Sequence, residues 1–296
     1  MRLALSHDHF REDHTMTIRI TADSTCDLSP ALAERLHIGI IPIHVIMGDA
    51  SLRDRVDCSC DRIFEYTART GELCGTSAAS IGEYEDFFRR ELENCDTVIH
   101  TALSSRLSSC CQNALLAAEA FEGRVRVFDT LSLTAGSGLL AMEAAELAES
   151  GADAETILRT LTERRDKVSA SFVPDTLEYM HKGGRCSSLA ALGANLLKLR
   201  PCIESKDGAL FVGKKYRGTI AKALSAYLAD RIGDGSAVEP SRCVLSHSIH
   251  DEALLERLVR QVEDTGAFRE VLVTEVGATI ACHSGPEVLG FLYFTR

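Results

Sequence analysis

Short apolar runs alternate with longer amphipathic stretches through the first half of this chain. Ile18–Ala22 is a β-rich run that ends in the polar cluster Asp23-Ser24-Thr25-Cys26-Asp27. Ser29 then caps a helix that Pro30 opens and that runs to Leu36. Ile38–Met47 is β-rich again, and Pro42 inside it predicts an edge or a bulge. Residues 60–70 read as helix, Gly75–Ile81 as a polar turn, and 82–93 as a second helix. Thr97–Leu103 is a buried strand, followed by Ser104, Ser105 and an Ala/Leu-rich helix to Phe121. Val125–Phe128 gives another strand, with helices at 135–149 and 153–166. Strand and helix alternating at this spacing predict a parallel sheet covered on both faces.

Beyond residue 167 the order changes. Ala170–Val173 reads as a strand, Asp175–Met180 as a short helix, and the segment after Gly183-Gly184 as helix to Leu197. Strands at Ala209–Val212, Arg242–Ser246 and Val271–Val276 are separated by helices at 218–232 and 251–264. A last strand pair brackets the turn His283-Ser284-Gly285-Pro286. The fold class is therefore α/β in two domains. Residues 16–167 form a three-layer α/β/α domain with a parallel sheet, and 168–296 a two-layer α+β domain with a mixed sheet. Residues 1–15 form a flexible extension ahead of Met16, with His7, His9 and His14 in solvent.

Composition narrows the function. Hydrophobic residues at 45% and charged residues at 25% describe an ordinary globular chain, not a disordered one. A net charge of −11, no Trp and 6% aromatics argue against nucleic acid as a partner. No run approaches the roughly 18 apolar residues of a membrane span, and the N-terminus is too polar for a signal peptide. The expected location is the cytoplasm. Eleven cysteines in a reducing compartment are expected to be free thiols. Neither Cys58-Ser59-Cys60 nor Cys110-Cys111 has a second Cys or His pair at zinc spacing, so no metal is expected.

The chemistry gathers at the strand-end loops, where an open α/β sheet binds ligands. Hydroxyls are dense there: Ser24-Thr25, then Thr76-Ser77 with Ser80, then Ser104-Ser105 and Ser108-Ser109. With helix N-terminal amides they suit an oxyanion, although each also fits a simple helix cap. Lys182-Gly183-Gly184-Arg185 places a forked donor beside a tight backbone turn, or is a helix C-cap with a surface Arg. His283 stands, on this reading, at a strand end facing a cleft. Gly136-Ser-Gly138-Leu-Leu-Ala141 spells a dinucleotide fingerprint, but no strand-end acid follows at the required distance. No nucleophile elbow and no phosphate-binding Walker sequence occurs. Ser105, Ser108 and Cys110 with His283 leave a serine- or cysteine-dependent acyl hydrolase as the alternative.

Taken together, Thr21-Ala-Asp23-Ser24-Thr25-Cys-Asp27, Ile41-Pro42-Ile43, Thr76-Ser77, Leu103–Ser108, Leu177–Arg185 and His283–Pro286 resemble the DegV family of bacterial fatty-acid-binding proteins. The resemblance implies a non-enzymatic lipid carrier with no cofactor, holding a long-chain fatty acid such as palmitate or stearate in an interdomain tunnel. It implies a partner too, a dihydroxyacetone-kinase-like fatty acid kinase that phosphorylates the presented carboxylate. It further implies that Thr76 and Ser108 hydrogen-bond that carboxylate, with His283 and Arg185 nearby and Ser77, Ser104 and Ser105 as secondary candidates. The chain departs from the family pattern at Ser109, where Gly is usual after Leu-Ser, and at Glu287, where the final turn usually has a second Gly.

Overall fold

A computed structural model describes residues 17–186 and 199–296. In chain order the first elements are β1 (Ile18–Asp23), α1 (Pro30–Arg35), β2 (Gly39–Ile41), β3 (His44–Met47) and β4 (Ala50–Arg53). Then come α2 (Cys60–Thr70), β5 (Gly75–Ser77), α3 (Ile81–Glu91), β6 (Thr97–Ala102) and α4 (Cys110–Ala118). β7 (Val125–Asp129), α5 (Ala135–Glu149) and α6 (Ala154–Arg165) complete this half. The remainder holds β8 (Val168–Val173), α7 (Glu178–Gly183), β9 (Leu199–Lys206), β10 (Ala209–Arg217) and α8 (Ile220–Ile232). It closes with β11 (Val238–His247), α9 (Glu252–Glu263), β12 (Glu270–Glu275), α10 (Ala278–Ser284) and β13 (Leu289–Thr295).

Four strands pair in parallel in the order β2-β1-β6-β7. Alternate residues on these strands face opposite layers. Ile20, Ala22 and Ile99 pack with α5 and α6, while Val98 and Val125 pack with α3 and α4. The second sheet is mixed, in the order β10-β9-β8-β13-β11-β12, with only β11 and β12 parallel. α8 and α9 cover one of its faces through Leu224, Tyr227, Leu228, Leu254 and Leu258. Its other face, with Ala170, Val244, Leu292 and Phe294, shares a core with α5. α5 therefore lies between the two sheets, which is why Ala135–Met142 are all buried.

That position accounts for the fingerprint look-alike. A methyl group on Gly136 would fall 2.4 Å from the Ser132 hydroxyl, and one on Gly138 would fall 2.5 Å from the Cys26 carbonyl. Both glycines let α5 approach its neighbours closely, and neither lies in a phosphate-binding turn.

Four elements differ from the sequence expectation, among them the unrecognised strand β4. Gly75–Ser77 is strand β5, paired antiparallel with β3 in a small β4-β3-β5 sheet, and not a turn. Pro42 separates β2, the edge of the parallel sheet, from β3 in this other sheet, so one β-rich run serves two sheets. β9, unrecognised in sequence, carries Pro201 beside a register shift against β10, the place where a missing N–H is tolerated. At the C-terminal end, Ala278–Ser284 is helix α10 and only Leu289–Thr295 is a strand. The helix expected between Gly184 and Leu197 falls largely on 187–198, outside the described residues, as does the extension 1–15.

Candidate functional site

Two buried carboxylates fix α10. The N–H of Gly277 donates to Asp27 Oδ1 at 2.7 Å, and that of Ala278 donates to Asp54 Oδ1 at 2.7 Å. Asp27 follows β1 in the left-handed region at φ 51°, a conformation that Asp tolerates. It also pairs with Arg55 at 3.0 Å and accepts from the Thr134 hydroxyl at 2.5 Å. Arg55 in turn donates to the Glu275 carbonyl, at the end of β12. Ser24 donates to Asp54 and accepts from the Ile43 N–H, while Asp23 accepts from Tyr84 and from the Leu103 N–H. Most of the polar cluster after β1 thus builds the frame. Only Thr25 Oγ1, buried and without a partner, is left to face the interior.

Beside this frame lies a cavity of about 320 Å³, lined by strand-end loops of the parallel sheet, by β5, by α7 and α10, and by β8, β10, β11 and β13 of the mixed sheet. That volume sits at the lower end of the usual range for small-molecule sites. Ile43, Leu103, Leu107, Leu133, Phe172, Met180, Leu210, Val276, Ile280 and Val288 supply apolar walls. Thr76, Ser77, Ser108, Ser109, Arg185 and His283 supply polar groups in the same lining. The Asn113 amide donates to the Ala79 carbonyl at 2.7 Å, tying the segment after Thr76-Ser77 to α4, which begins beside Ser108.

Thr76 and His283 meet directly, Oγ1 to Nε2 at 2.9 Å. His283 occupies the last turn of α10, not a strand end, and its ring lies against Gly183 of the Lys-Gly-Gly-Arg turn. A methyl on Gly183 would sit 2.4 Å from His283 Nδ1, so this glycine is needed for close approach. Its neighbour Gly184, at φ 68°, is the left-handed cap of α7. Burial, helped by the positive charge of Arg185, lowers the His283 pKa to about 4. At neutral pH the ring is uncharged and acts through hydrogen bonds.

That neutrality predicts a pH effect on folding. The unfolded ring takes up a proton below its ordinary value of 6.5, whereas the folded ring resists down to about 4. The contribution is fully present above pH 6.5 and is lost as pH falls towards 4, up to about 3 kcal/mol at roughly 1.4 kcal/mol per pH unit. Asp27 opposes it: burial raises its pKa from 3.8 to about 6, so its contribution grows as pH falls through the same interval. The histidine effect therefore emerges as a difference. Urea unfolding of a His283→Gln variant should show less acid destabilisation between pH 6.5 and 4 than wild type, and parallel curves would contradict a buried neutral ring.

The other sequence-derived candidates divide. Ser108 lines the cavity, and its hydroxyl donates to Cys110 Sγ at 3.1 Å while accepting from the Cys110 N–H. Ser77 and Arg185 are exposed at the lining, Arg185 donating to the Gly183 carbonyl at 2.6 Å. Ser104 is buried away from the cavity on the Gly208 carbonyl, and Ser105 is exposed with its N–H on Asp129. Ser80 is a helix cap, in a reciprocal box with Glu83. Glu287 turns away to His250 at 3.0 Å, so its charge does not enter the cavity.

No nucleophile–base pair forms from the serine and cysteine candidates. Ser108 bonds Cys110 rather than His283, burial pushes the Cys110 thiol up to about 12, and His283 Nδ1 has no orienting partner. Sequence reasoning missed four cavity hydroxyls, Thr134, Ser246, Thr279 and Ser284. Those of Thr279 and Ser284 have no partner. Reading 278–284 as helix would have found Thr279, since it lies one turn before His283 on the same face.

Fold and cavity together define a mixed α/β protein with a largely apolar cavity beside helix α10. The chain belongs to the DegV family, whose model, described as uncharacterised protein, DegV family, matches residues 17–296. A DegV domain-containing protein of Deinococcus radiodurans is 31% identical over 284 residues, 93% of this chain and 97% of its own. A fatty acid-binding protein of Thermotoga maritima is 29% identical over 282 residues, covering 93% and 97% respectively. The solved structure of a fatty-acid-binding DegV family protein from Thermus thermophilus superposes with a TM-score of 0.87 at 32% identity, over 95% of this chain and 100% of that one. Among the described residues, no helix is long and apolar enough to cross a membrane.

Proposed function

We propose that this protein is a carrier that holds one long-chain fatty acid, of the palmitate or stearate class, in the cavity. The acyl chain lies along the apolar walls, between a lobe of residues 16–167 and one of 168–296. The carboxylate sits against Thr76 and Ser108, with His283 and Arg185 beside it. The observation that carries this reading is the cavity itself, in which ten or so apolar side chains are joined by a small set of hydroxyls and one neutral imidazole. Each buried CH₂ contributes about 0.8 kcal/mol, so the chain supplies affinity and the hydroxyls supply orientation. The fatty acid-binding relatives from Thermotoga and Thermus support the same ligand class. Mass spectrometry of an organic extract of the recombinant protein should release a C16 or C18 acid. A ligand-free extract together with no uptake of added acid would refute the proposal.

The presented carboxylate is the substrate of a dihydroxyacetone-kinase-like fatty acid kinase. Arg185 is exposed at the cavity lining, and on this reading it meets that partner or the charge developing on the phosphorylated head group. Arg185→Ala should lower acyl-phosphate formation with the cognate kinase more than it lowers fatty-acid affinity. Equal losses in the two assays would assign Arg185 to ligand retention alone.

A further inference from the structure

Eleven cysteines are an unusual endowment, and all are free thiols. Three of them, Cys58, Cys74 and Cys282, share one small buried cluster with Val45, Ile63 and Ala278. Cys74 immediately precedes β5, two residues before Thr76. Cys282 lies in α10, directly before His283. The Cys282 thiol points at the β5 end, 3.8 Å from the Gly75 carbonyl. It also interacts with the Cys74 thiol, holding Cys74 below its ordinary value while its own pKa is driven up. Cys74 keeps 8% of its surface, against 3% for Cys58 and for Cys282, so a small oxidant reaches it first.

From this placement we infer that Cys74 and Cys282 form a peroxide-sensitive dithiol whose oxidation locks the Thr76–His283 end of the cavity. The Cys74 thiolate attacks one oxygen of hydrogen peroxide, the O–O bond breaks, and the departing hydroxide takes a proton to leave as water. Cys74 is then a sulfenic acid. The Cys282 sulfur attacks it, the S–O bond breaks, and the second oxygen leaves as water with the Cys282 proton. Two thiols and one peroxide give one disulfide and two waters. The new bond, about 2.05 Å long, is shorter than any contact between separate thiols and draws β5 towards α10. Thr76 and His283, each within two residues of a sulfur, are then cross-linked into their present contact. The ligand half of this inference rests on the proposed fatty-acid function, but the sulfur chemistry does not.

The test treats the full-length protein with hydrogen peroxide, maps peptides without reduction, and measures the exchange of a bound fluorescent C16 acid. The expected map joins Cys74 to Cys282, in wild type and in Cys58→Ala but not in Cys74→Ala or Cys282→Ala. Exchange should slow at least fivefold on oxidation and recover with dithiothreitol. A Cys58–Cys74 bridge, or no bridge in wild type while its circular dichroism is unchanged, overturns the pairing. The wild-type map decides this even if a variant misfolds. A correct bridge with unchanged exchange overturns the lock. A correct bridge in a protein that binds no fatty acid when reduced refutes the carrier function and leaves the dithiol standing.

Discussion

Asp27→Ala is expected to destabilise the fold by about 3–5 kcal/mol, read as a shift in the urea midpoint, because it breaks a buried ion pair on one side only. Arg55 would lose the carboxylate at 3.0 Å, and the Gly277 N–H and Thr134 hydroxyl would lose their acceptor. Alanine at φ 51° adds a smaller backbone cost that asparagine largely avoids. Asp27→Asn should therefore fall between wild type and the alanine variant. A loss below about 1 kcal/mol for Asp27→Ala would mean that α10 is held by its apolar contacts and not by this cap.

The largest expected effect on ligand binding comes from Thr76→Val combined with Ser108→Ala. Each removes one hydroxyl from the polar part of the cavity while leaving its shape nearly unchanged. A hydrogen bond to a charged acceptor is worth roughly 1.5–3 kcal/mol, about one to two orders of magnitude in affinity for each hydroxyl. Displacement titrations should show that loss for a C16 acid, and a much smaller one for the C16 alcohol, which carries no charge. A loss of under threefold for the acid would place the carboxylate elsewhere in the cavity, with the unpartnered hydroxyls of Thr25, Thr279 and Ser284 next to be tested.

How far the sequence was legible depended on the range of the interactions. Helices with a strong apolar face and a local cap, such as α3 with its Ser80–Glu83 box, were plain because cap and face lie within a few residues. β5 was not, since Gly-Thr-Ser is turn-like in composition and is a strand only because β3 pairs with it. α10 was misread because Thr279 and Ile280 favour strands, while its helical start depends on carboxylates more than 220 residues away. The candidate site behaved alike. That hydroxyls gather at strand ends was readable. Which of them are internal fittings was not, because Ser104 is satisfied by the Gly208 carbonyl 104 residues further on, and Ser24 by Asp54. Thr76 and His283 were both singled out, yet nothing local indicates that they touch.

The separation between partners also bears on how the protein is made. Thr76 and His283 are 207 residues apart, Asp27 and Gly277 are 250 apart, and Arg55 reaches the Glu275 carbonyl across 220. A chain emerging from the ribosome can pair β1 with β6 and pack α5 on them long before residue 277 exists, but it has no closed cavity. Contacts this far apart in sequence close the largest loops and form late. The nascent protein is thus blind to its ligand for most of its synthesis. The cavity lining is complete only once α10 and β13 have been made, since both contribute residues to it.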